Sequence, residues 1–273
     1  MQYASKESLY KDARRVLQVV RGWNTQQVPK KAVDFAEKTL GLTLTDWQRD
    51  FLASDHPRRL LLCCRQSGKS TMAAVEALHV ALTEPNSLVV ILAPSEKQAK
   101  ETFGKVAAFY RRVGEILPAE SYRKTGLQLS NGSRIETSAG TEKTTRGFSS
   151  VRLLIVDEAS RIDDDLYFAI RPMLAVSGGT LVMLSTPFGR RGVFYEEWTE
   201  GKGWQKFKVT VDDLPDDWYL PSKAEYLAEE RETLPNRIIR QEYYCYFVET
   251  DEQVFSEELI ASITSDDYEP WNY

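Results

Sequence analysis

Cysteine and histidine are scarce in this sequence of 273 residues, which has three cysteines and two histidines. Two of the cysteines, Cys63 and Cys64, are adjacent, so they cannot build the disulfide framework of a small secreted domain. His56 and His79 have no companions spaced as metal ligands, and we assign them no function. The cysteine usage favours a reducing cytoplasm as the compartment of the protein.

Long apolar runs are also absent. No run approaches the roughly 18 residues of a membrane-spanning helix, and residues 1–15 lack the apolar core of a secretory signal. We therefore expect no membrane partner. With 42% hydrophobic and 27% charged residues, the composition excludes a disordered or fibrous chain. The length suits one large α/β domain or one domain with an appendage.

Neither sign of charge dominates, since 35 basic and 40 acidic side chains give a net charge of −5. This balance argues against a polyanionic partner, but the charges are unevenly placed. Residues 1–150 hold 23 basic and 15 acidic side chains, a net of +8, whereas the remainder holds 12 and 25, a net of −13. Such asymmetry is a weak indication of nucleic-acid contact.

Short apolar runs alternate with longer helical stretches, which predicts a mostly parallel sheet covered by helices. Asn131 and Gly132 predict a hairpin with a type I′ turn within residues 127–136. The predicted buried strands are 59–64, 87–93, 151–156 and 180–185, and the predicted helices are 69–82, 95–117, 163–175, 221–233 and 235–247.

The composition shifts near residue 203, since residues 201–273 hold 7 basic and 17 acidic side chains. We therefore divide the chain into four parts: an N-terminal helical extension (1–40), a core (41–202), a small lid or linker subdomain (203–255) and a tail (256–273).

Residues 63–70, Cys-Cys-Arg-Gln-Ser-Gly-Lys-Ser, follow an apolar strand and begin a helix. They fit the P-loop spacing, except that Cys63 replaces the first glycine. Backbone N–H groups there would hold phosphates, Lys69 would reach the β- and γ-phosphates, and the Ser70 hydroxyl would bind Mg²⁺. Cys63 and Cys64 are interpreted as packing residues. The predicted nucleotide-binding set from this segment is Gln66, Ser67, Gly68, Lys69, Ser70 and Thr71.

A second motif lies about ninety residues further on, where the apolar residues 153–156 are followed by Asp157 and Glu158. This is the Walker B arrangement: Asp157 would hold Mg²⁺ through water, and Glu158 would orient or deprotonate the attacking water. Two carboxylates beside a phosphate site favour a hydrolase over a protein that only stores nucleotide.

Over about residues 40–255 the ordered motifs resemble the ATPase domain of the large terminase subunit of tailed bacteriophages, the motor that packages DNA into procapsids. Residues 65–70 resemble the family's variant P-loop. Residues 45–51 resemble its adenine motif, which would place Gln48 at the base. Further similar segments are 93–99, shared with helicases, 184–187, the coupling motif, and 242–255, the end of the lid.

The resemblance implies an α/β fold of the P-loop NTPase type in its additional-strand (ASCE, RecA-like) class, with a small C-terminal lid. It implies an ATPase that uses ATP and Mg²⁺ to translocate double-stranded viral DNA into a procapsid. The implied partners are double-stranded DNA, a homo-oligomeric ring on the portal protein and the small terminase subunit. The implied location is the host cytoplasm, with transient docking on the procapsid.

Several roles stay open at this point. Arg146 resembles a trans-acting arginine finger, while Arg65 could supply the same cation in cis; either would neutralise charge on the transferred phosphoryl group. Ser185 and Thr186 would couple γ-phosphate sensing to movement, or simply form a turn. Gln48 would read adenine, or only cap a helix.

Seven basic side chains are candidates for phosphate contacts with duplex DNA, which position a protein without reading sequence. The first three of them are expected to lie loosely on one side of a helix. The set comprises Lys97, Lys100, Lys105, Arg111, Arg112, Arg123 and Lys124.

Nothing in the sequence resembles the RNase H-like nuclease into which large terminases continue. We therefore expect the motor part of a longer protein, without nuclease activity of its own. One alternative is a helicase-like or DNA-repair ATPase, although that would need a second RecA-like domain. Another is a nucleotide-gated scaffold that does not hydrolyse ATP.

Overall fold

The structure is a computed structural model that describes residues 28–140 and 147–248. Predictions for residues 1–27, for Arg146 and for the tail at 256–273 lie outside these ranges. Eight strands form one mixed sheet, flanked by helices, in the order β3-β4-β5-β2-β6-β7-β1-β8. The strands are β1 (Arg58–Cys63), β2 (Leu88–Ala93), β3 (Ala119–Arg123), β4 (Gly126–Leu129), β5 (Arg134–Ala139), β6 (Leu153–Asp157), β7 (Thr180–Ser185) and β8 (Gln205–Val209).

The four strands predicted from apolar runs, β1, β2, β6 and β7, are confirmed and form the buried centre of the sheet. They pair in parallel, as do β5 with β2 and β8 with β1, while β3, β4 and β5 are antiparallel neighbours. Strand β7 lies between β1, which leads into the P-loop, and β6, which ends in Asp157. This inserted strand confirms the predicted additional-strand class.

A capping serine and a left-handed glycine set the ends of the longest helix. The helix α4 (Glu96–Arg112) begins after Ser95, whose hydroxyl accepts a hydrogen bond from the N–H of Gln98. It ends at Arg112 rather than at 117 because Gly114 adopts a left-handed φ of +63°. Within the described ranges no helix is long and apolar enough to cross a membrane. The helices are α1 (Ala32–Asp34), α2 (Asp46–Ala53), α3 (Lys69–Thr83), α4 (Glu96–Arg112), α5 (Asp164–Ile170), α6 (Val193–Thr199), α7 (Lys223–Thr233) and α8 (Asn236–Glu242).

Two of the proposed domain boundaries need correction. The core does not end at residue 202, because β8 pairs with β1 and extends the sheet to Val209. Nor does it begin at residue 41, since Phe35 and Leu40 are fully buried in the same hydrophobic core as the central strands. The predicted helix 235–247 is shorter as well, ending at Glu242.

The predicted hairpin forms from β4 and β5, but its turn is not type I′. That turn needs a positive φ at both central residues. Only Gly132 has one, at +84°, and Asn131 does not. The N–H of Gly132 donates to the carbonyl of Leu129 at 3.0 Å, and the N–H of Leu129 donates to the carbonyl of Ser133 at 2.8 Å. The connection is therefore a three-residue loop with glycine in the left-handed position.

A buried ion pair ties α2, β1 and α3 together. The guanidinium of Arg59 is 3% exposed and contacts the carboxylate of Glu76. It also donates to the carbonyl of Phe51 at 3.3 Å and lies 5.0 Å from the centre of that ring. Removing one partner of such a pair leaves an uncompensated charge in the core.

We expect Glu76→Ala to lower the free energy of unfolding by about 3–5 kcal/mol, because Arg59 would stay buried without its carboxylate. Chemical denaturation measures this loss. The matched control is Glu84→Ala, whose pair with Arg152 is about 40% exposed on both sides and which should cost about 0–1 kcal/mol. Equal costs for the two variants would contradict this account of the Arg59–Glu76 pair.

Candidate nucleotide site

The P-loop lysine and the Walker B carboxylates meet at the carboxyl ends of β1 and β6. Lys69, the first residue of α3, is 8% exposed, and its Nζ lies 3.1 Å from Oε1 of Glu158. Burial alone would lower the pKa of Lys69, but Glu158 and Asp157 outweigh it and raise that pKa. The ammonium is therefore held charged inside the site, as phosphate binding requires.

Asp157 ends β6 and is 4% exposed. Burial raises the pKa of its carboxyl, and a hydrogen bond from the Thr102 hydroxyl to Oδ2 at 2.6 Å opposes that rise. The N–H of Glu158 donates to Oδ1 at 3.0 Å. Sequence reasoning missed Thr102. It lies on the buried face of α4 beside Ala99, Phe103 and Val106, and a polar residue in that apolar pattern was the available signal.

Ser70 and Asp157 provide the oxygen donors expected for Mg²⁺. The Ser70 hydroxyl is close enough to Asp157 to lower the pKa of that carboxyl. Mg²⁺ is usually held by one or two carboxylates together with water and substrate phosphates. In the described part of the chain no group of three or more His, Cys, Asp or Glu side chains could form a protein-only metal cage. The pair thus fits a metal that is shared with a bound phosphate chain.

Glu158 is joined to the predicted coupling residues. Its backbone is left-handed, with φ of +54° and ψ of +45°, an uncommon conformation for this residue type that often occurs at functional sites. The Ser185 hydroxyl lies 3.4 Å from its Oε2. Ser160 contacts the Ser185 hydroxyl at 2.6 Å and donates to the carbonyl of Thr186 at 2.8 Å. Ser160, which sequence reasoning missed, therefore connects the coupling motif to the Walker B loop.

The segment after β8 packs onto the front of the P-loop. The N–H of Arg65 donates to the carbonyl of Glu242 at 2.7 Å, and the hydroxyl of Tyr219 donates to the carbonyl of Arg65 at 2.8 Å. Trp218 donates from Nε1 to the carbonyl of Gln66 at 3.0 Å. The Arg65 side chain itself is 66% exposed and lies 3.9 Å from the Glu242 carboxylate. The expected C-terminal subdomain is thus in direct contact with the P-loop.

Gln48 caps a helix, and its role in reading adenine stays a prediction. Its Oε1 accepts the N–H of Thr45 at 3.1 Å, which caps α2. Its Nε2 faces the P-loop, since a Cβ placed on Gly68 would lie 3.1 Å from it. The neighbouring Trp47 is 9% exposed and packs in the core. The amide is therefore next to the P-loop with its donor end available.

The three cysteines, Cys63, Cys64 and Cys245, are buried and unpaired. Burial raises the pKa of the thiols of Cys63 and Cys64 to about 12, so neither is a thiolate near neutral pH. Their environment agrees with the predicted packing role.

The seven basic candidates for DNA contact do not share one surface. Lys105 lies five residues after Lys100, roughly 140° around the helix, so the lysines of α4 span a broad arc. Lys105 is half-buried; burial lowers its pKa and the nearby Asp157 opposes that shift. The Arg112 guanidinium lies beside Gly41. The other cations include four that line one open groove of about 450 Å³, together with Phe103 and Tyr122: Lys100, Arg111, Arg123 and Lys124.

The inserted β7 strand, the P-loop and the Asp157–Glu158 pair define a P-loop NTPase of the additional-strand class. Residues 60–262 match the family model described as "Terminase large subunit, T4likevirus-type, N-terminal". The chain therefore belongs to the terminase large subunit family.

Two curated relatives support this membership. The chain is 31% identical over 231 residues to the terminase large subunit of Thermus virus P23-45, an alignment that covers 73% of this chain and 47% of the relative. It is 26% identical over 214 residues to that of Escherichia phage T5, covering 74% and 47%. The chain thus spans about half the length of these relatives.

The fold has a solved counterpart. The large terminase ATPase domain of Thermus phage P74-26 is similar with a TM-score of 0.68 and 26% identity, over 79% of this chain and 98% of that one.

We expect Asp157→Asn to raise the free energy of unfolding at pH 7 in the absence of ligand. Because the folded-state pKa of Asp157 is raised, the wild-type protein loses stability as pH rises through that pKa, and asparagine has no such loss. The gain should vanish at a pH below both the folded and unfolded pKa values. Urea unfolding at several pH values measures it, with Asp50→Asn on the exposed face of α2 as the control. A destabilised Asp157→Asn protein at pH 7 would contradict the expectation.

Proposed function

We propose that this domain hydrolyses ATP with Mg²⁺ and uses the energy to translocate double-stranded DNA in viral genome packaging. The observation that carries the proposal is the convergence of Lys69, Asp157 and Glu158, with Lys69 and Glu158 only 3.1 Å apart. Membership of the terminase large subunit family supports the DNA-packaging role. The resemblance to a phage ATPase domain over nearly all of that domain supports hydrolysis.

Nucleotide binding would rearrange the Lys69–Glu158 pair. The N–H groups at the start of α3 and the Lys69 ammonium would bind the phosphates. Lys69 would then leave Glu158, whose carboxylate would become available to orient or deprotonate the attacking water. Ser70 and Asp157 would hold Mg²⁺, which neutralises charge on the phosphates. In this scheme Glu158 is restrained before nucleotide arrives and released by it.

The same rearrangement offers a route to movement. Glu158 is linked to Ser185 and, through Ser160, to Thr186 at the end of β7. The P-loop is linked to the C-terminal segment through Trp218 and Tyr219. We propose that hydrolysis is transmitted along these two sets of contacts.

A second cation would assist phosphoryl transfer. Arg146, outside the described residues, is our candidate for a finger acting in trans on a neighbouring subunit. Arg65, exposed at the P-loop, is the candidate acting in cis. Both assignments stay predictions, as do the homo-oligomeric ring on the portal protein, the small-subunit partner and the location on procapsids in the host cytoplasm. DNA cleavage is not assigned to these residues.

We place the DNA contact at the groove between α4 and the β3–β4 hairpin. Four basic side chains line it, and Tyr122 is 48% exposed at its edge. Cations with an interleaved aromatic ring suit a phosphate backbone, and such contacts are independent of sequence, as packaging of a whole genome needs.

Two alternatives are less well supported. A helicase-like or DNA-repair ATPase would share the P-loop and Walker B geometry, but the family match is to terminase large subunits. A scaffold that binds nucleotide without hydrolysis has no need for Glu158 beside Asp157.

Glu158→Gln should reduce the rate of ATP hydrolysis by about 10²- to 10⁴-fold and leave nucleotide binding intact, because Lys69 loses a competing partner. Steady-state phosphate release and equilibrium dialysis with ADP measure the two effects. Glu200→Gln, at the exposed end of α6, is the control. Wild-type turnover in Glu158→Gln would refute the assigned role.

Removing two groove cations, Arg123→Ala with Lys124→Ala, should weaken duplex DNA binding and make it less sensitive to salt. The slope of log affinity against log salt should fall by about 0.9 for each DNA phosphate that the protein no longer neutralises. The matched control removes two exposed cations of α4 that do not line the groove, Lys97→Ala with Arg112→Ala. Equal slopes for the two double variants would exclude the groove as the DNA surface.

A further inference from the structure

We propose that Trp218 is the platform on which the base of the bound nucleotide stacks. The inference rests on the proposed binding of ATP and goes beyond it, because it assigns the base-binding wall to the C-terminal segment. Neither the P-loop nor the upstream Gln48 motif contains this residue.

One hydrogen bond and one close approach place the indole at the P-loop. Its Nε1–H donates to the carbonyl of Gln66 at 3.0 Å. Its Cζ2 lies 3.7 Å from the position that a Cβ on Gly68 would occupy, and Nε2 of Gln48 lies 3.1 Å from that same position. The indole and the Gln48 amide therefore flank one glycine at the start of the phosphate-binding helix.

Trp218 and Gln48 approach each other at Gly68. Its φ of +92° is accessible to glycine at little cost. A side chain there would come within contact distance of both the indole and the amide. A glycine at this position lets both groups approach the P-loop, since a Cβ there would lie only 3.1 Å from Nε2 of Gln48.

Trp218 also retains surface for a ligand. It is half-buried, and its one polar atom is already satisfied by the Gln66 carbonyl. What remains exposed is aromatic surface, which stacks on a planar base. A flexible apolar side chain would gain less from such a contact.

The other aromatic side chains near the P-loop are buried in contacts with the protein. Tyr219 is 5% exposed, stacks on Tyr226 at 4.6 Å and holds the Arg65 carbonyl. Trp47 packs in the core. Trp218 is thus the aromatic side chain that the described residues leave available at this end of the P-loop.

The two flanking groups would divide the recognition of the base. Stacking on an indole tolerates any base, because each has a π-face. The Gln48 amide has its oxygen occupied by Thr45 and its Nε2 donor free to face a ring nitrogen acceptor. Affinity would then come mainly from Trp218, and preference among bases from Gln48.

The experiment compares binding of ADP and of inorganic tripolyphosphate, which lacks the base, to the full chain. Trp218→Ala should weaken ADP binding on the order of tenfold and leave tripolyphosphate binding unchanged. Trp218→Phe, which keeps an aromatic ring but loses the N–H donor, should bind ADP within about threefold of the wild type. Trp198→Ala, at a half-buried tryptophan on α6, is the matched control.

Other results of this binding experiment would contradict the proposal. Equal losses for ADP and tripolyphosphate in Trp218→Ala would mean that Trp218 only supports the P-loop, and unchanged ADP binding would remove it from the site; either result overturns the proposal. A wild-type chain that binds neither probe would instead refute the proposed function. If Trp218→Ala does not fold, tryptophan fluorescence decides: ADP should quench the wild type and Trp198→Phe but not Trp218→Phe, and equal quenching in all three contradicts the platform.

Discussion

The site depends on keeping the Lys69 ammonium charged at a position that is 8% exposed. A buried ammonium is costly unless carboxylates lie beside it. Here they come from Asp157 and Glu158 at the end of β6, a strand separated from the P-loop strand by β7. The charge of Lys69 therefore depends on the order of the central strands, which brings the end of β6 beside the P-loop. The hydroxyls of Thr102 and Ser185 contact those same carboxylates, and Ser160 contacts the Ser185 hydroxyl.

Much of this arrangement could be predicted from the sequence. Continuous apolar runs indicate buried parallel strands, and the two motifs at strand ends indicate a shared edge of the sheet. Strand β8 was missed because Gln-Lys-Phe-Lys-Val alternates as an edge strand does and contains two lysines. The half-burial of Lys105 near Asp157 was also not predicted. Residue contacts across the fold, such as Thr102 with Asp157, depend on how helices pack, which local spacing does not encode.

The C-terminal segment after β8 is part of the nucleotide site and not a separate unit, as its contacts with the P-loop show. From its excess of acidic residues we predicted a small lid or linker subdomain. Backbone carbonyls of the P-loop accept hydrogen bonds from Trp218 and Tyr219, while Arg65 donates to Glu242. Because these contacts involve the P-loop backbone itself, a displacement of the whole segment would break several hydrogen bonds to the phosphate-binding loop at once. Nucleotide state and segment position should therefore be coupled in both directions.

The register of β7 decides whether a folded chain can be active. Ser185 pairs with Leu62 of β1, and Leu184 pairs with Asp157 of β6. A slip of one residue would turn Ser185 to the opposite face of the sheet, away from Glu158. A chain with misaligned strands would thus be catalytically silent even if it were compact. Specific activity in a preparation would then report the fraction of molecules whose central strands are correctly aligned.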